Sequence, residues 1–575
     1  MCGFLVIHSK NNFKDNIEIK NKFKQNLSIL QDRGPDESSI VEFDNFLIGF
    51  NRLSINNIKN GSQPFFSKCK RYLICFNGEI VNYKELIEFL LQKNIKMTDK
   101  NEAEVILELY LYYGEECLSF LKGMFAFVII DKISGKIFAA SDRFGIKPIY
   151  YGYTDNKKCF YLTSNFSSLV TTKVIEKKID HLVLEQFISF GQIYDSKTLI
   201  NNVNDLKNAS LIKLENNNLT VKKYWFPSFK KKKIKNNNDL ISEVVDKLKS
   251  TVNYWKTSEE KLSLCLSDGV DSNILLQLLT SKLKNLETFS IGLNPKEVPF
   301  KKNKYNNFIN FSLKKTLKLF KSFAKKNFIL LSSPSDLTLF QLYDFIGQKG
   351  FKVTFTGDGA DEIFGGYYKY QNILKNYYLG KKNNFFKNYI NIYGNTVNQF
   401  SSICRNKSPL NNFNIQRQLI QKLHKLKIQD KCLFMDQMFW VPTVQKRHDA
   451  IGMNFGIEVR PPFLDHEFAN LINSIPANLK FNIKRRKIIA YEIINKLSKF
   501  KLSDKKYATP SFVEKIFLDK KELNQFLESF RYGILNKFIH FDKFLKLLKE
   551  NKKNFDNIII IFWRLFMLNE LLKDK

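Results

Sequence analysis

None of the eight cysteines stands in a C-x-x-C pair, and the six histidines do not cluster. These absences exclude a disulfide framework and a structural zinc site, and point to a reducing compartment. No apolar run approaches the ~20 residues that a membrane span needs. The longest, around Ile558–Phe562, is broken by Arg564. The opening MCGFLVIHSKNNF has neither a basic segment nor a small-residue cleavage site, so no signal peptide is expected. Arginine-rich stripes and nucleic-acid reader motifs are missing too, although the formal net charge is +35. What is present is an ordinary globular composition. With 44% hydrophobic and 26% charged residues, the 575-residue chain is too apolar to be disordered. At roughly 150 residues per domain it has room for more than one core. Residues 1–225 carry 30 Lys+Arg against 25 Asp+Glu; the remaining 61 and 31 hold +30 of the +35. The surplus is spread through Asn- and Lys-rich stretches such as KKKKIKNNN, which reads as a lysine-biased solvated surface. A soluble cytoplasmic protein without nucleic-acid or membrane partners is expected.

Two patterns divide the chain. Before residue 226, short β-branched and aromatic runs (YLICFNGEI, GMFAFVIID, KIFAAS, CFYLTS) alternate with turns, and helical stretches interrupt them near Lys22–Gln31 and Glu102–Tyr112. Residues 227–239 are polar, basic and aperiodic, a linker composition. Beyond them LSLCL (262–266), a tight turn, a helix and ETFSIGL (287–293) form a strand–helix–strand pattern expected of a parallel sheet. From about residue 370 the pattern is helical. The fold class predicted is α+β followed by α/β, in two domains, 2–226 and 240–575.

Cys2 is the first residue that carries chemistry. Removal of Met1 leaves a cysteine whose α-amine titrates near ~8, close enough to neutrality to serve as general base for its own thiol. MCGF, DRGPDES (32–38), NRLSINN (51–57), FNGEIVNY (76–83) and SDRFGIKPIYY (141–151) follow one another in the order and spacing of the class II glutamine amidotransferase family, and residues 1–225 resemble that domain throughout. The resemblance implies an αββα N-terminal-nucleophile sandwich with Cys2 as nucleophile. It implies an oxyanion hole from the Asn77 side chain and the Gly78 N–H, and a glutamine site of Arg52, Leu53, Ser54, Ile55, Asn77, Gly78, Glu79 and Glu102. An oxyanion needs two aimed donors, and a guanidinium suits the substrate carboxylate. Two positions depart from the family pattern. Asp32 stands where the family has histidine, and Glu102 stands where it has aspartate. Glu104 is left open between a structural carboxylate and a share in the role of Glu102.

In the second half, LCLSDGVDSNILL (264–276) resembles the phosphate loop of the N-type ATP pyrophosphatases, with Asp268 replacing the first motif glycine. A strand ending in a small turn at a helix start aims N–H groups at phosphate. TFSIGL (288–293), TGDGADEIFGGY (356–367), GMNFGIEVRPPFLDHEFA (452–469) and RRKIIAYEI (485–493) complete the set. Together with the first half they resemble the glutamine-hydrolysing asparagine synthetase family from residue 2 to about 515. The resemblance implies an ATP site of Leu266, Ser267, Gly269, Asp271, Ser272, Ile291, Thr356, Gly357 and Lys487. It also implies Mg²⁺ on Asp271 and Asp361, and a catalytic role for Asp358 toward an acyl substrate or incoming ammonia. The implied substrates are glutamine, aspartate and ATP, with an acyl-adenylate intermediate, and a homodimer is left open. The family's D-E-P segment is SSP here (332–334), D-R-M-S-M is DAIGM (449–453), and the stretch from 294 departs as well. These segments border the acceptor, so amidation of another carboxylate, such as a sugar acid of a surface glycan, is the alternative. A degenerate, non-catalytic binder is the contrasting expectation.

Overall fold

A computed structural model describes residues 2–573 apart from 10–12, 14–16, 156, 235, 284, 294–305, 380–384, 386–388, 390–393, 406–416, 499–511 and 553. The departing stretch at 294–305 and the end of the matched region at 499–511 lie outside the described residues.

The first half builds two six-stranded antiparallel sheets. Its strands are β1 (Cys2–Ser9), β2 (Glu37–Phe43), β3 (Phe46–Arg52), β4 (Phe65–Phe66), β5 (Tyr72–Ile80), β6 (Gly123–Asp131), β7 (Ile137–Ser141), β8 (Tyr150–Tyr153), β9 (Cys159–Thr163), β10 (Val203–Asp205), β11 (Ser210–Glu215) and β12 (Asn218–Lys223). The sheets run β10-β8-β9-β1-β3-β2 and β12-β11-β7-β6-β5-β4. Period-two alternation explains how they stack. Along β1, Phe4 and Val6 point into a core shared with Leu73, Cys75 and Val128 of the other sheet. Leu5 and Ile7 point the other way, onto helices α1 (Ile17–Ile29), through Phe23, and α4 (His181–Phe190), through Val183 and Phe187. The second sheet is covered on its far face by α2 (Tyr83–Gln92) and α3 (Glu102–Tyr113). The result is four layers, helix–sheet–sheet–helix. Helix α2 is absent from the sequence expectation because its apolar residues follow directly on the strand run that ends at Ile80.

The second half is a five-stranded sheet with all described pairings parallel: β13 (Leu262–Cys265), β14 (Glu287–Gly292), β15 (Asn306–Asn310), β16 (Val353–Phe355) and β17 (Glu458–Arg460), in the order β15-β14-β13-β16-β17. Helices α5 (Asn237–Trp255) and α6 (Val270–Thr280) cover one face, and α7 (Asp336–Gln348) covers the other. The short helix α8 (Ala360–Phe364) follows β16. Helix α9 (Val441–Met453) precedes β17, and α10 (Ile488–Leu497) and α11 (Ile559–Leu572) come after it. The apolar run at 558–562 opens α11, whose residues from Ile561 to Leu572 are all buried; there Arg564 donates to the Ile188 carbonyl of α4 at 2.7 Å. No helix among the described residues is long and apolar enough to cross a membrane.

One hydrophobic cluster runs from Leu5, Phe166 and Phe187 of the first half to Phe328, Phe340 and Trp563 of the second. The basic segment between the halves is irregular up to α5 but not freely solvated. Lys231 donates to Asp430 at 2.9 Å and to the carbonyls of Asn473 and Ile475 at 2.8 and 3.0 Å. Phe229 beside it is buried.

Candidate functional site

The β1–β3 register pairs Cys2 with Arg52, and β5 crosses above them in the other sheet. Cys2 therefore meets Asn77 between the layers: its backbone nitrogen donates to Asn77 Oδ1 at 2.9 Å. Asn77 is fully buried, and its Nδ2 has no hydrogen-bond partner among the described residues. A buried amide donor without a partner costs stability, so it marks a group held for something else. Gly78 has φ +147°, and a Cβ there would lie 2.1 Å from the Met124 carbonyl oxygen, so only glycine fits this turn of β5. Burial raises the Cys2 thiol above its ordinary value, while the Leu53 N–H and Arg52 oppose that shift.

A cleft of about 430 Å³ opens here, lined by Cys2, Arg52, Leu53, Ile55, Gly78, Glu79, Glu102 and, from the second half, Glu458. Ser54 and Asn77 lie outside the lining; the Ser54 N–H is taken by Asp36 at 2.8 Å, and Asn77 stands behind Cys2. Arg52 is buried and holds Glu37 and the carbonyls of Asn57 (2.8 Å) and Ile58 (3.2 Å), which ties the 56–58 loop over the cleft. Glu102 accepts from the Ile80 N–H at 2.6 Å, and burial together with nearby Glu79 pushes it well above the carboxylate range. Glu104 has a different task. It accepts from the N–H groups of Thr98, Asp99 and Lys100 at 2.6, 2.9 and 2.7 Å, which makes it the anchor of the turn before α3.

The fully buried Arg460 lies behind two carboxylates of the lining, Glu79 and Glu458, and was not among the residues singled out from sequence. It donates to Glu458 at 2.6 Å, to Glu79 at 2.9 Å and to the carbonyls of Trp255 and Thr257 at 2.7 and 2.6 Å. Burial pushes Glu79 up to about 7 against the pull of Arg460. Burial also works against a charged Glu458, yet Arg460 holds its carboxyl below the ordinary value. Glu79 follows the Asn77–Gly78 pair on β5, while Arg460 ends β17 and its carbonyl accepts from the Thr356 N–H at 3.0 Å. Arg460 thus touches Glu79 of the cysteine cleft with its side chain and the loop after β16 with its backbone carbonyl.

That loop lies at the second site. The strand order reverses between β13 and β16, and the crevice beyond the carboxyl ends of strands at such a point is where open parallel sheets bind ligands. Two loops meet there. In 266–272, Ser272 Oγ donates to the Ser267 carbonyl at 2.9 Å and Gly269 N donates to Ser267 Oγ at 3.2 Å, which folds the turn onto the start of α6. In 356–359, a Cβ on Gly357 would stand 3.0 Å from Asp271 Cβ, so glycine lets the two loops touch. Leu266 and Ile291 sit at the ends of neighbouring strands, where Leu266 N donates to the Phe289 carbonyl at 2.9 Å. Thr356 Oγ1 is buried without a partner among the described residues. Asp268 is half-buried, and burial raises its carboxyl.

Lys487 is buried with φ +50°, the residue before α10, and its ammonium lies between Asp271 and Asp361, 2.6 Å from the latter. Desolvation works against its charge, but the two carboxylates hold it above the ordinary lysine value. A Cβ on Gly366 would collide with Asp361 Oδ1 at 1.7 Å and Lys487 Cε at 2.2 Å, so this glycine makes room for the pair.

Beside it, Asp358 faces α9. His448 Nε2 lies 3.3 Å from Asp358 Oδ2, and His448 Nδ1 lies 2.5 Å from the Tyr343 hydroxyl. Burial lowers this imidazole to about 4 in spite of Asp358, so it is neutral near pH 7. Its neighbours on α9 reach in other directions: Arg447 pairs with buried Asp336, two residues beyond the SSP segment, and Asp449 accepts from Arg33 at 2.8 Å. Asp32, the departure next to Arg33, pairs with Lys326 of the second half at 2.9 Å. His448 and Tyr343 carry no spacing signal in sequence, since 105 residues separate them.

Comparison with known proteins places these sites in context. Residues 1–225 match the glutamine amidotransferase domain family, and residues 243–557 match the asparagine synthase family. The chain is 31% identical over 387 residues to the glutamine-hydrolyzing asparagine synthetase 1 of Bacillus subtilis (strain 168), a stretch covering 65% of this chain and 60% of that protein. It is 23% identical over 521 residues to asparagine synthetase 3 of the same organism, covering 82% and 81%. Among solved structures, the glutamine phosphoribosylpyrophosphate amidotransferase from B. subtilis is similar at 15% identity and TM-score 0.29, over 55% of this chain and 70% of that one.

Proposed function

The chain belongs to the asparagine synthase family, and from that premise we propose that it is a glutamine-hydrolysing, ATP-dependent ligase that amidates the side-chain carboxylate of aspartate. Residues 2–226 act as the glutaminase and residues 240–575 as the synthetase. The observation that carries the reading is the pairing of Cys2 with an Asn77 whose amide donor is buried and unpartnered, in a cleft joined by Arg460 to a switch-point crevice.

With Met1 removed, the Cys2 α-amine takes the thiol proton, and the thiolate attacks the glutamine amide carbon. The developing oxyanion is met by Asn77 Nδ2 and the Gly78 N–H. The α-amine returns the proton to the leaving nitrogen, ammonia departs, and water cleaves the thioester to glutamate. In the crevice, a carboxylate oxygen of the acceptor attacks the ATP α-phosphorus, pyrophosphate leaves, and an acyl-adenylate remains. Ammonia then displaces AMP. Adenylation is required because a free carboxylate is a poor electrophile. In this reading Lys487 follows the phosphates, and Asp358, 3.3 Å from His448, takes the proton that the attacking ammonia loses. Asp271 and Asp361 are hard oxygen donors that would hold Mg²⁺ together with the phosphates of ATP, where it would neutralise phosphate charge.

The test is Cys2→Ala. Glutamine-dependent AMP formation is expected to vanish while ammonia-dependent AMP formation persists; retention of glutamine-dependent turnover sinks the reading. The replacement of D-E-P by SSP at 332–334, backed by the Arg447–Asp336 pair, favours a second acceptor class. An AMP assay over a panel of amino-acid and sugar-acid carboxylates decides between the two.

A further inference from the structure

A second cavity, of about 710 Å³, lies between the two halves and away from both sites. The first half contributes Phe166, Phe187 and Leu199, and the second contributes Phe328, Ile329 and Met438, so one end is apolar. The other end is charged. Lys207 and Lys446 both reach a single carboxylate, Asp205, with Lys207 at 3.0 Å. Just behind them Lys223 donates to Asn208, to its carbonyl and to its side-chain oxygen at 3.2 Å, and stands 5.9 Å from the centre of the Phe226 ring. Two ammonium groups, Lys207 and Lys446, therefore share one carboxylate in a partly desolvated place. Lys197 on the rim is matched by Asp180 at 3.4 Å and adds nothing to the surplus. The cavity wall also holds two buried oxygens without a partner among the described residues, Gln192 Oε1 and Asp205 Oδ1, acceptors that call for water rather than for an anionic head.

A cavity with an apolar body and a positive end suits one kind of ligand. Apolar surface removed from water drives entry, and a desolvated ammonium pair rewards an anion far more than a solvated one does. From this charge complementarity we propose that the cavity is a binding site for a small amphipathic carboxylate, its head on Lys207 and Lys446 and its hydrocarbon body against Phe187, Phe328 and Met438. The site has a route to both reaction centres. Pro442, Thr443 and Lys446 of α9 line it. The next residues on that helix, Arg447, His448 and Asp449, hold Asp336, Asp358 and Arg33. An occupant here braces the helix that faces both centres.

The test is calorimetric titration of the full chain with octanoate, using octanol and octylamine as uncharged and cationic matches of the same length. Saturable binding of one octanoate is expected, with the two matches weaker by about tenfold or more, the scale of one charge-assisted contact. Lys446→Met should weaken octanoate by about the same factor and leave octanol unchanged. Because that change leaves Asp205 with one partner fewer, Thr443→Trp, which fills the cavity from its rim without touching charge, is the second variant and should abolish binding of all three. The absence of saturable octanoate binding overturns the proposal. So does equal or tighter binding of octanol or octylamine, or octanoate binding that survives both substitutions.

Discussion

The Asn77 amide holds the Cys2 nitrogen with its oxygen, and its nitrogen, without a partner among the described residues, is the donor that the proposed oxyanion hole needs. Asn77→Ala should therefore lower glutaminase kcat by about 10²–10³ with little change in KM for glutamine, measured by glutamate release. A change confined to KM would point to ground-state binding instead. His448 makes a prediction about acid. Its folded-state value of about 4 lies below the ordinary 6.5, so between these the unfolded chain binds more protons than the folded one. Stability contributed by the neutral imidazole is whole above pH 6.5 and is lost as pH falls toward 4. For wild type against His448→Gln, the unfolding free energies from urea titrations should converge by about 1–3 kcal/mol across that window. A glutamine keeps an N–H toward Asp358 but does not titrate. If the two free energies fall in parallel, the imidazole is not the buried neutral group described. The histidine at this position had no sequence signal, because its partners come from α7 and from the loop after β16.

At the scale of elements, the loop after β16 packs against the loop after β13, and two glycines set the spacing. Gly366→Ala would drive a Cβ into Asp361 and Lys487, displacing the ammonium that the two carboxylates share. ATP-dependent pyrophosphate release is expected to drop by about tenfold or more, as when a buried ion pair loses its geometry, while glutaminase activity stays intact. Loss of both activities together would show that the substitution unfolds the chain. The strand and helix positions around these loops were legible in sequence, because LSLCL is a short apolar run, ETFSIGL is short with β-branched and aromatic residues, and the helix between them starts directly at the turn. Helix α2 was not legible, since the apolar residues of YKELIEFLLQ continue those of β5 without a break. Glu104 was ambiguous for another reason: a carboxylate two residues from a site reads the same in sequence whether it faces the cleft or the turn, and only its three backbone donors separate the two.

At the scale of the molecule, the two halves are one packed body. Arg460 pairs with Glu79 across them, Asp449 with Arg33, Lys446 with Asp205 and Lys326 with Asp32. Arg460→Met would leave Glu79 and Glu458 buried without their cation, at a cost of about 3–5 kcal/mol. We expect a lower unfolding midpoint together with loss of coupling, so that glutamine hydrolysis exceeds AMP formation. Unchanged stoichiometry in a folded variant would remove Arg460 from the link. The surplus of lysine fits this picture in part. Lys231, Lys352 and Lys446 are spent on fastening segments together, with Lys352 on Asp36 and Glu260 at 2.9 and 3.0 Å, while others remain on the surface.

The sequence by itself determined the chemistry that depends on neighbours along the chain. A cysteine at position two, an Asn–Gly pair ending a strand run and a small-residue turn before a helix are all local, and backbone geometry follows from them. Absence of cysteine pairs and of long apolar runs was local too. Tertiary structure alone decided which distant charges meet. Arg460 and Glu79, His448 and Asp358, and Lys446 and Asp205 are each separated by 90 or more residues. Their pairing depends on the order of strands and the docking of two halves onto one core. Burial then sets their strength, because desolvation acts on a side chain only once the fold has closed around it.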